Sequence, residues 1–166
     1  ASGKSICYQL PILNQLLLDG QSTALLFFPT KALTYDQLKS FSNIIYGTNM
    51  ILDPNLAAVY DGDTPATQRS AIRQHSRILL TNPDMLNIGI LPHHTNWAHF
   101  FEHLRYIVID EIHLYRGVFG SHIGNLIRRL KRVCDFYNVS PHFIMTSATI
   151  ANPIDLAQNL IEDNVS

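Results

Sequence analysis

Two carboxylates, Asp110 and Glu111, stand side by side directly after the run Ile107-Val108-Ile109. Neighbouring carboxylates are costly in an apolar setting unless something pairs them, and at the mouth of a sheet that partner is commonly a divalent metal. The stretch Ser2-Gly3-Lys4-Ser5-Ile6 supplies the complementary chemistry. Backbone N–H groups of Gly3, Lys4 and Ser5 at a helix start can hold phosphate oxygens. The Lys4 ammonium can reach β- and γ-phosphates, and the Ser5 hydroxyl can ligate Mg2+. The complete phosphate-loop pattern needs five residues before Gly3 and only Ala1 and Ser2 precede it, so its first glycine and the strand feeding it are expected upstream. Hydroxyls recur in Thr146-Ser147-Ala148-Thr149.

The elements that must position these groups are legible from pattern. Three β-branched residues at 107–109 are too continuous for a half-exposed edge and predict a strand buried on both faces of a parallel sheet. The carboxylates then sit at its C-terminal end, where open α/β sheets place ligand chemistry. Ile6, Leu10, Leu13 and Leu17 keep helical spacing up to Gly20, with Pro11 expected to kink that helix. Residues 23–28 predict a buried strand, and Pro29-Thr30-Lys31 turns the chain into a helix with Leu33, Leu38, Phe41 and Ile45 inward. Thr30 and Lys31 there offer a hydroxyl, an N–H and a positive charge to a phosphodiester; the plainer alternative makes Thr30 a helix cap. Residues 56–60 predict a strand and Asp61-Gly62-Asp63-Thr64-Pro65 a turn, whose two aspartates argue against direct phosphate contact. A polar helix follows over 66–74, then a short strand over 77–80. Thr81 and Asn82 are placed to bond a backbone phosphate, and Asp84 to cap a helix from Met85. Residues 114–122, with two glycines, read as a loop in which Arg116 either touches a phosphate or simply lies on the surface. The helix over 123–137 buries Ile123, Leu126, Ile127, Leu130 and Val133 or Cys134, with Arg128, Arg129, Lys131 and Arg132 as a solvated face. A last strand over 142–146 and a helix from Pro153 complete the chain.

Composition excludes several classes. With 166 residues, 46% hydrophobic and 15% charged, the chain suits one domain with a helix-covered sheet and not a disordered segment. A net charge of -1 gives no overall field to recruit nucleic acid, so any such contact is local. Cys7 and Cys134 form no C-x-x-C pair, which suggests neither a zinc site nor a disulfide framework and fits a reducing cytoplasm. His93, His94, His99 and His103 cluster, and His99 with His103 at i, i+4 have the spacing of metal ligands on a helix. The zinc-protease pattern is absent because Glu102 precedes the second histidine instead of following the first. Core packing by Trp97, Phe100, Phe101 and Leu104 is the favoured reading of that segment.

Taken in order, the stretches resemble the first motor lobe of superfamily 2 helicases and translocases. Gly3-Lys4-Ser5 resembles motif I, Pro29-Thr30-Lys31-Ala32-Leu33 motif Ia, and Thr81-Asn82-Pro83-Asp84 motif Ib. Asp110-Glu111-Ile112-His113 resembles a DExH motif II and Ser147-Ala148-Thr149 motif III. The runs from Tyr115 to His122 and from Ile150 to Pro153 resemble more specifically the bacterial repair helicases of the mitomycin-repair type. The resemblance implies an α/β, three-layer P-loop NTPase (RecA-like) lobe. Its mostly parallel central sheet would carry helices on both faces and lack its first strand. Residues 1–166 would then be a partial helicase ATP-binding domain, with a second lobe carrying the arginine finger absent, and the isolated chain inactive as an ATPase. It implies ATP and Mg2+ as cofactors and single-stranded nucleic acid, DNA favoured, as the partner in DNA repair. Asp110 and Ser5 would hold the metal, Glu111 activate water and Lys4 neutralise phosphate charge. His113, Ser147 and Thr149 would couple nucleotide state to the strand. Pro29, Thr30, Lys31, Thr81, Asn82 and Arg116 would track it through sequence-independent, salt-sensitive contacts. The alternatives are an RNA helicase or restriction-type translocase motor and, in another class, a non-catalytic nucleotide-binding scaffold.

Overall fold

The computed structural model describes residues 3–47, 56–148 and 152–161. The elements follow one another as α1 (Ile6–Leu18), β1 (Thr23–Phe27), α2 (Lys31–Gly47), β2 (Ala57–Val59), α3 (Ala66–His75), β3 (Ile78–Thr81), α4 (Pro83–Met85), α5 (Ala98–Glu102), β4 (Leu104–Ile109), α6 (Gly117–Phe136), β5 (His142–Met145) and α7 (Pro153–Ile161). The five strands form one parallel sheet in the order β2-β3-β1-β4-β5.

The predicted buried strand is β4, flanked by β1 and β5, and Ile107, Val108 and Ile109 are fully buried. Period-two alternation divides its side chains between two cores. Val108, with Leu26 and Leu80, packs against Tyr8, Ile12 and Leu16 of α1 and Phe41 of α2. Ile107 and Ile109, with Leu25 and Phe27, pack against Phe100 and Phe101 of α5 and Ile127 and Leu130 of α6. A sheet between two helical layers results. Each of these aliphatic side chains contributes about 1.5–3 kcal/mol through burial.

Register decides where polar residues emerge. Thr81, Phe27, Ile109 and Met145 lie in one row across β3, β1, β4 and β5. The ladder continues one step further, with Phe28 N–H donating to the Thr81 carbonyl, Asp110 N–H to Phe27 and Thr146 N–H to Ile109. Asp110 and Thr146 therefore leave the sheet side by side at its C-terminal edge, with Phe28 between them and Asn82.

Several local expectations are corrected. In α1 only Leu13 of the four spaced apolar positions is buried, while Ile6, Leu10 and Leu17 are exposed. That helix is apolar almost all round, so periodicity does not choose its face; Tyr8, Ile12, Leu13 and Leu16 do the packing. The segment after β3 is not a regular helix from Met85. A turn of α4 widens into a π-helical turn at Leu86–Ile90 and a 3-10 stretch at Leu91–Trp97, broken at His93. Its cap is Asn82, whose Oδ1 accepts from Met85 N–H, and not Asp84. The expected loop over 114–122 is largely helix, because α6 starts at Gly117. The two glycines serve that start: Gly117 has φ +60, and a Cβ on Gly120 would lie 2.6 Å from the Tyr115 carbonyl oxygen. Past the end of α6 at Phe136, Asn138 takes φ 55 and Val139 N–H returns to the Cys134 carbonyl. Among the described residues no helix is long and apolar enough to cross a membrane.

Candidate nucleotide site

The C-terminal edge opens into a cleft of 730 Å³ that brings Gly3, Lys4, Ser5 and Ile6 together with Asp110, Glu111 and Thr146. One wall is the start of α1. Gly3 takes φ +67, a conformation that disfavours other residues. Ile6 N–H donates to its carbonyl and Gln9 N–H to that of Ser5, so Gly3, Lys4 and Ser5 stand at the first turn with their own N–H groups unused by the helix. The Lys4 ammonium donates to the Ser147 carbonyl at 2.9 Å and so ties the first motif to the last.

The opposite wall is built on β4 and β5. Asp110 is 7% exposed, and a buried carboxylate needs a donor. The Thr146 hydroxyl donates to Asp110 Oδ1 and accepts from Glu111 N–H at 3.3 Å, bridging the two acidic residues. Glu111 lies in the left-handed region, φ 54 and ψ 46, which costs a non-glycine residue about 1–2 kcal/mol. The Ile112 N–H bond to the Thr146 carbonyl, 2.8 Å, holds that turn in place. Strain of this kind concentrates where a side chain must be aimed.

His113 joins motifs II and III. Ala148 N–H donates to His113 Nδ1 at 3.1 Å, which makes that nitrogen an acceptor. Glu111 Oε2 approaches the same nitrogen at 3.0 Å, yet it is buried without a hydrogen-bond donor. One ring nitrogen cannot serve both: it accepts from Ala148, or once protonated it donates to Glu111. The Ala148 contact has hydrogen-bond geometry and the Glu111 approach does not. Ser147 Oγ is likewise buried without a partner.

A polar floor links α1 to α2. Tyr8 donates to Gln37 Oε1 at 2.8 Å, and Gln9 Nε2 donates to the same oxygen at 3.2 Å and to Ser40 Oγ at 3.0 Å. Burial pushes the Tyr8 phenol well above its ordinary range; the Ser5 hydrogen bond opposes this, and the Asp110 and Glu111 charges add to it. The phenol is therefore a fixed donor. Sequence pattern assigns no role to this floor or to Thr146. The signal for Thr146 was its place as the first polar residue after a strand adjoining the carboxylate strand.

The expected nucleic-acid residues do not converge in this way. Pro29 and Thr30 follow β1 on the exposed side, where the Thr30 hydroxyl accepts from Leu33 N–H at 3.4 Å in the manner of a cap. Lys31 pairs with Asp63, and that carboxylate raises the Lys31 ammonium above its usual range. Thr81 is fully buried and its hydroxyl donates to the Tyr60 carbonyl at 2.6 Å, so the expected phosphate bond from this side chain is corrected to a structural one. Asn82 is engaged as the cap described above. Arg116 is exposed and lines a separate cavity of 810 Å³ between α6 and α7. Ser2 and Thr149 lie outside the described residues.

The profile of the DEAD/DEAH box helicases matches residues 1–156. The ATP-dependent helicase YprA of Bacillus subtilis is 54% identical over 160 residues, covering 96% of this chain and 21% of that protein. The ATP-dependent helicase HRQ1 of Saccharomyces cerevisiae is 43% identical, covering 99% of this chain and 15% of that protein. The crystal structure of the helicase MrfA bound to DNA and AMPPNP superposes with a TM-score of 0.94 at 51% identity, over 99% of this chain and 23% of that one. The chain thus spans about a fifth of the length of such relatives. Its fold is the RecA-like α/β lobe of these proteins, and the chain belongs to the DEAD/DEAH box helicase family.

Proposed function

We propose that this chain is the ATP-binding motor lobe of a nucleic-acid helicase or translocase, with DNA as the favoured substrate and DNA repair as its setting. The observation that carries the reading is the convergence of Lys4, Ser5, Asp110, Glu111 and Thr146 on one cleft. Relatives named as ATP-dependent helicases support it, as does a neighbour bound to DNA and AMPPNP.

The hydroxyl of Ser5 and the carboxylate of Asp110 are hard oxygen donors lining one cleft, a set that fits Mg2+. When bound, Mg2+ supplies positive charge to the phosphate oxygens that accumulate negative charge during transfer. The chain's residues do the rest. The N–H groups at the start of α1 hold phosphate oxygens, and Lys4 exchanges the Ser147 carbonyl for phosphate. Thr146 keeps Asp110 oriented, and Glu111, whose Oε2 has no donor, accepts the proton of the attacking water. His113, Ser147 and Thr149 register the change, because a proton at His113 Nδ1 would trade the Ala148 bond for one to Glu111. An arginine from a second lobe would complete charge neutralisation. On the other side of the mouth, Pro29, Thr30 and Lys31, with the backbone around Thr81 and Asn82, form the path for a phosphodiester strand, and Arg116 extends it.

The test is a pair of substitutions in a protein carrying this lobe. Glu111→Gln should keep ATP binding and lower turnover by about 100-fold or more, since only proton acceptance is lost. Lys4→Ala should weaken nucleotide binding itself. Turnover at the wild-type level in Glu111→Gln would exclude the assignment.

A further inference from the structure

We propose that His99, Glu102 and His103 form a second metal site, for a transition-metal dication of the zinc class, at the edge of the sheet opposite the nucleotide cleft. The three residues stand at i, i+3 and i+4 across the end of α5. One ring nitrogen of each histidine and one carboxylate oxygen of Glu102 lie within 4.8 Å of one another. A tetrahedral metal with ligand bonds of about 2.0–2.1 Å needs donors roughly 3.3 Å apart. His99 and Glu102 are exposed, so rotation about their own side-chain bonds can close that gap without moving the backbone.

His103 is the fixed member. Its carbonyl accepts from Thr23 N–H at 2.9 Å, while the Thr23 hydroxyl donates to the Phe100 carbonyl at 2.7 Å, so β1 holds both ends of this turn. Phe100 and Phe101 are buried beneath it. His103 Nδ1 lies 2.9 Å from the His99 carbonyl. Only a protonated Nδ1 can use that oxygen, and the neutral tautomer it selects leaves the Nε2 lone pair free. A backbone carbonyl fixing the second nitrogen is the arrangement that orients metal-binding histidines. Asp19 adds anionic charge near His103; its carboxyl is held below the usual range by the Ser22 hydroxyl and the Gln21 N–H, with Arg105 and His103 contributing. Both Asp19 oxygens are engaged, by Gln21 and Ser22, and Arg105 offsets its charge, so it is not counted among the ligands.

Two imidazoles and one carboxylate select zinc-class ions over Mg2+ or Ca2+, which prefer all-oxygen shells. Three protein ligands leave one coordination position for water or for a group from another molecule. His103 immediately precedes β4, so an ion there would clamp the start of the strand whose far end carries Asp110 and Glu111. The proposal does not depend on the helicase reading, and its test uses no ATP.

Zn2+ alone is titrated into the chain by calorimetry, with its thermal unfolding followed in parallel. The tightest site should take one equivalent and raise the melting temperature. His99→Ala and Glu102→Gln, both exposed changes that leave the core intact, should each weaken that site by at least roughly tenfold, the lower end of what loss of a supporting partner alone costs. His103→Ala should abolish it. Cys7→Ser and His94→Ala should leave it unchanged. Wild-type affinity in His99→Ala and Glu102→Gln, or loss of the tightest site in Cys7→Ser, would overturn the assignment.

Discussion

The two sides of the sheet's C-terminal edge use polar residues in opposite ways. Beyond the ends of β4 and β5 polar groups retain unused capacity: Glu111 Oε2, on a residue lining the cleft, and Ser147 Oγ, next in the chain to cleft-lining Thr146, are buried without a hydrogen-bond partner. At the ends of β1 and β3 the polar groups are engaged by the protein itself, Thr81 with Tyr60, Asn82 with Met85 and Lys31 with Asp63. Buried unsatisfied polar atoms are expensive, and folds retain few of them. Under the proposed function a bound ligand would complete the first side, whereas on the second side the groups that would meet a strand are already paired, and the buried atom left open there among the described residues is Asp61 Oδ2, an acceptor that cannot serve a phosphate. A strand passing over the second side must rely on exposed backbone and on cations that first leave their partners.

The sharpest way to break that contrast is to remove the bridge on the chemical side. Thr146→Val keeps the shape and deletes the hydroxyl that serves both Asp110 and Glu111. A buried carboxylate then loses its donor, at about 1.5–3 kcal/mol, and ATP turnover should fall with it. Equilibrium denaturation and steady-state hydrolysis measured together check this; a stable, fully active variant would deny Thr146 its organising place. On the other side, Thr81→Val should cost about 1–3 kcal/mol of stability because the Tyr60 carbonyl is orphaned in the core. Nucleic-acid affinity should hold for whatever fraction remains folded. A loss of affinity without loss of stability would move Thr81 back into the strand path.

Glu111 allows a smaller test with opposite signs in two assays. Glycine relieves the left-handed strain at φ 54 and loses chain entropy, for a net gain of roughly 0.5–1 kcal/mol in Glu111→Gly. Hydrolysis should nevertheless be lost with the carboxylate. If Glu111→Gly is instead destabilised, the left-handed turn is supported by side-chain contacts of Glu111 beyond the backbone bonds to Thr146.

The contrast also explains what could be read from sequence. Ile107-Val108-Ile109-Asp110-Glu111 announces its own fold, since a continuous β-branched run has one stable place, inside a parallel sheet, and register then delivers the carboxylates to the mouth. The Lys4 and Ser5 side of the cleft followed from motif spacing alone. The role of Thr146 is not legible in sequence because it arises from the pairing of β4 with β5, a contact across 36 residues that local pattern does not encode. Thr81 misled for a related reason. A threonine at a strand end looks available until register places it in the row with fully buried Phe27. The face of α1 was illegible because nearly every face is apolar, and the early start of α6 was hidden by glycines that usually signal loops but here admit the Tyr115 carbonyl.

The smallest effect concerns Lys31, and it bears most directly on whether the second side can open to a strand. Lys31 and Asp63 are both largely exposed, so their pair is screened by water and salt and is readily exchanged. A phosphodiester offers the ammonium a comparable partner. Asp63→Asn removes the competitor and one negative charge from the turn between β2 and α3, leaving Lys31 free for phosphate. Single-strand binding at low salt should tighten by a few-fold at most, the salt dependence should steepen because Lys31 now displaces a counterion, and the gain should vanish at high ionic strength. Lys31→Ala in the same background should reverse it. If Asp63→Asn leaves both affinity and salt slope unchanged while Lys31→Ala also has no effect, Lys31 belongs to the closed side as a structural pair. The strand path must then be sought from Thr30 and Arg116 outward.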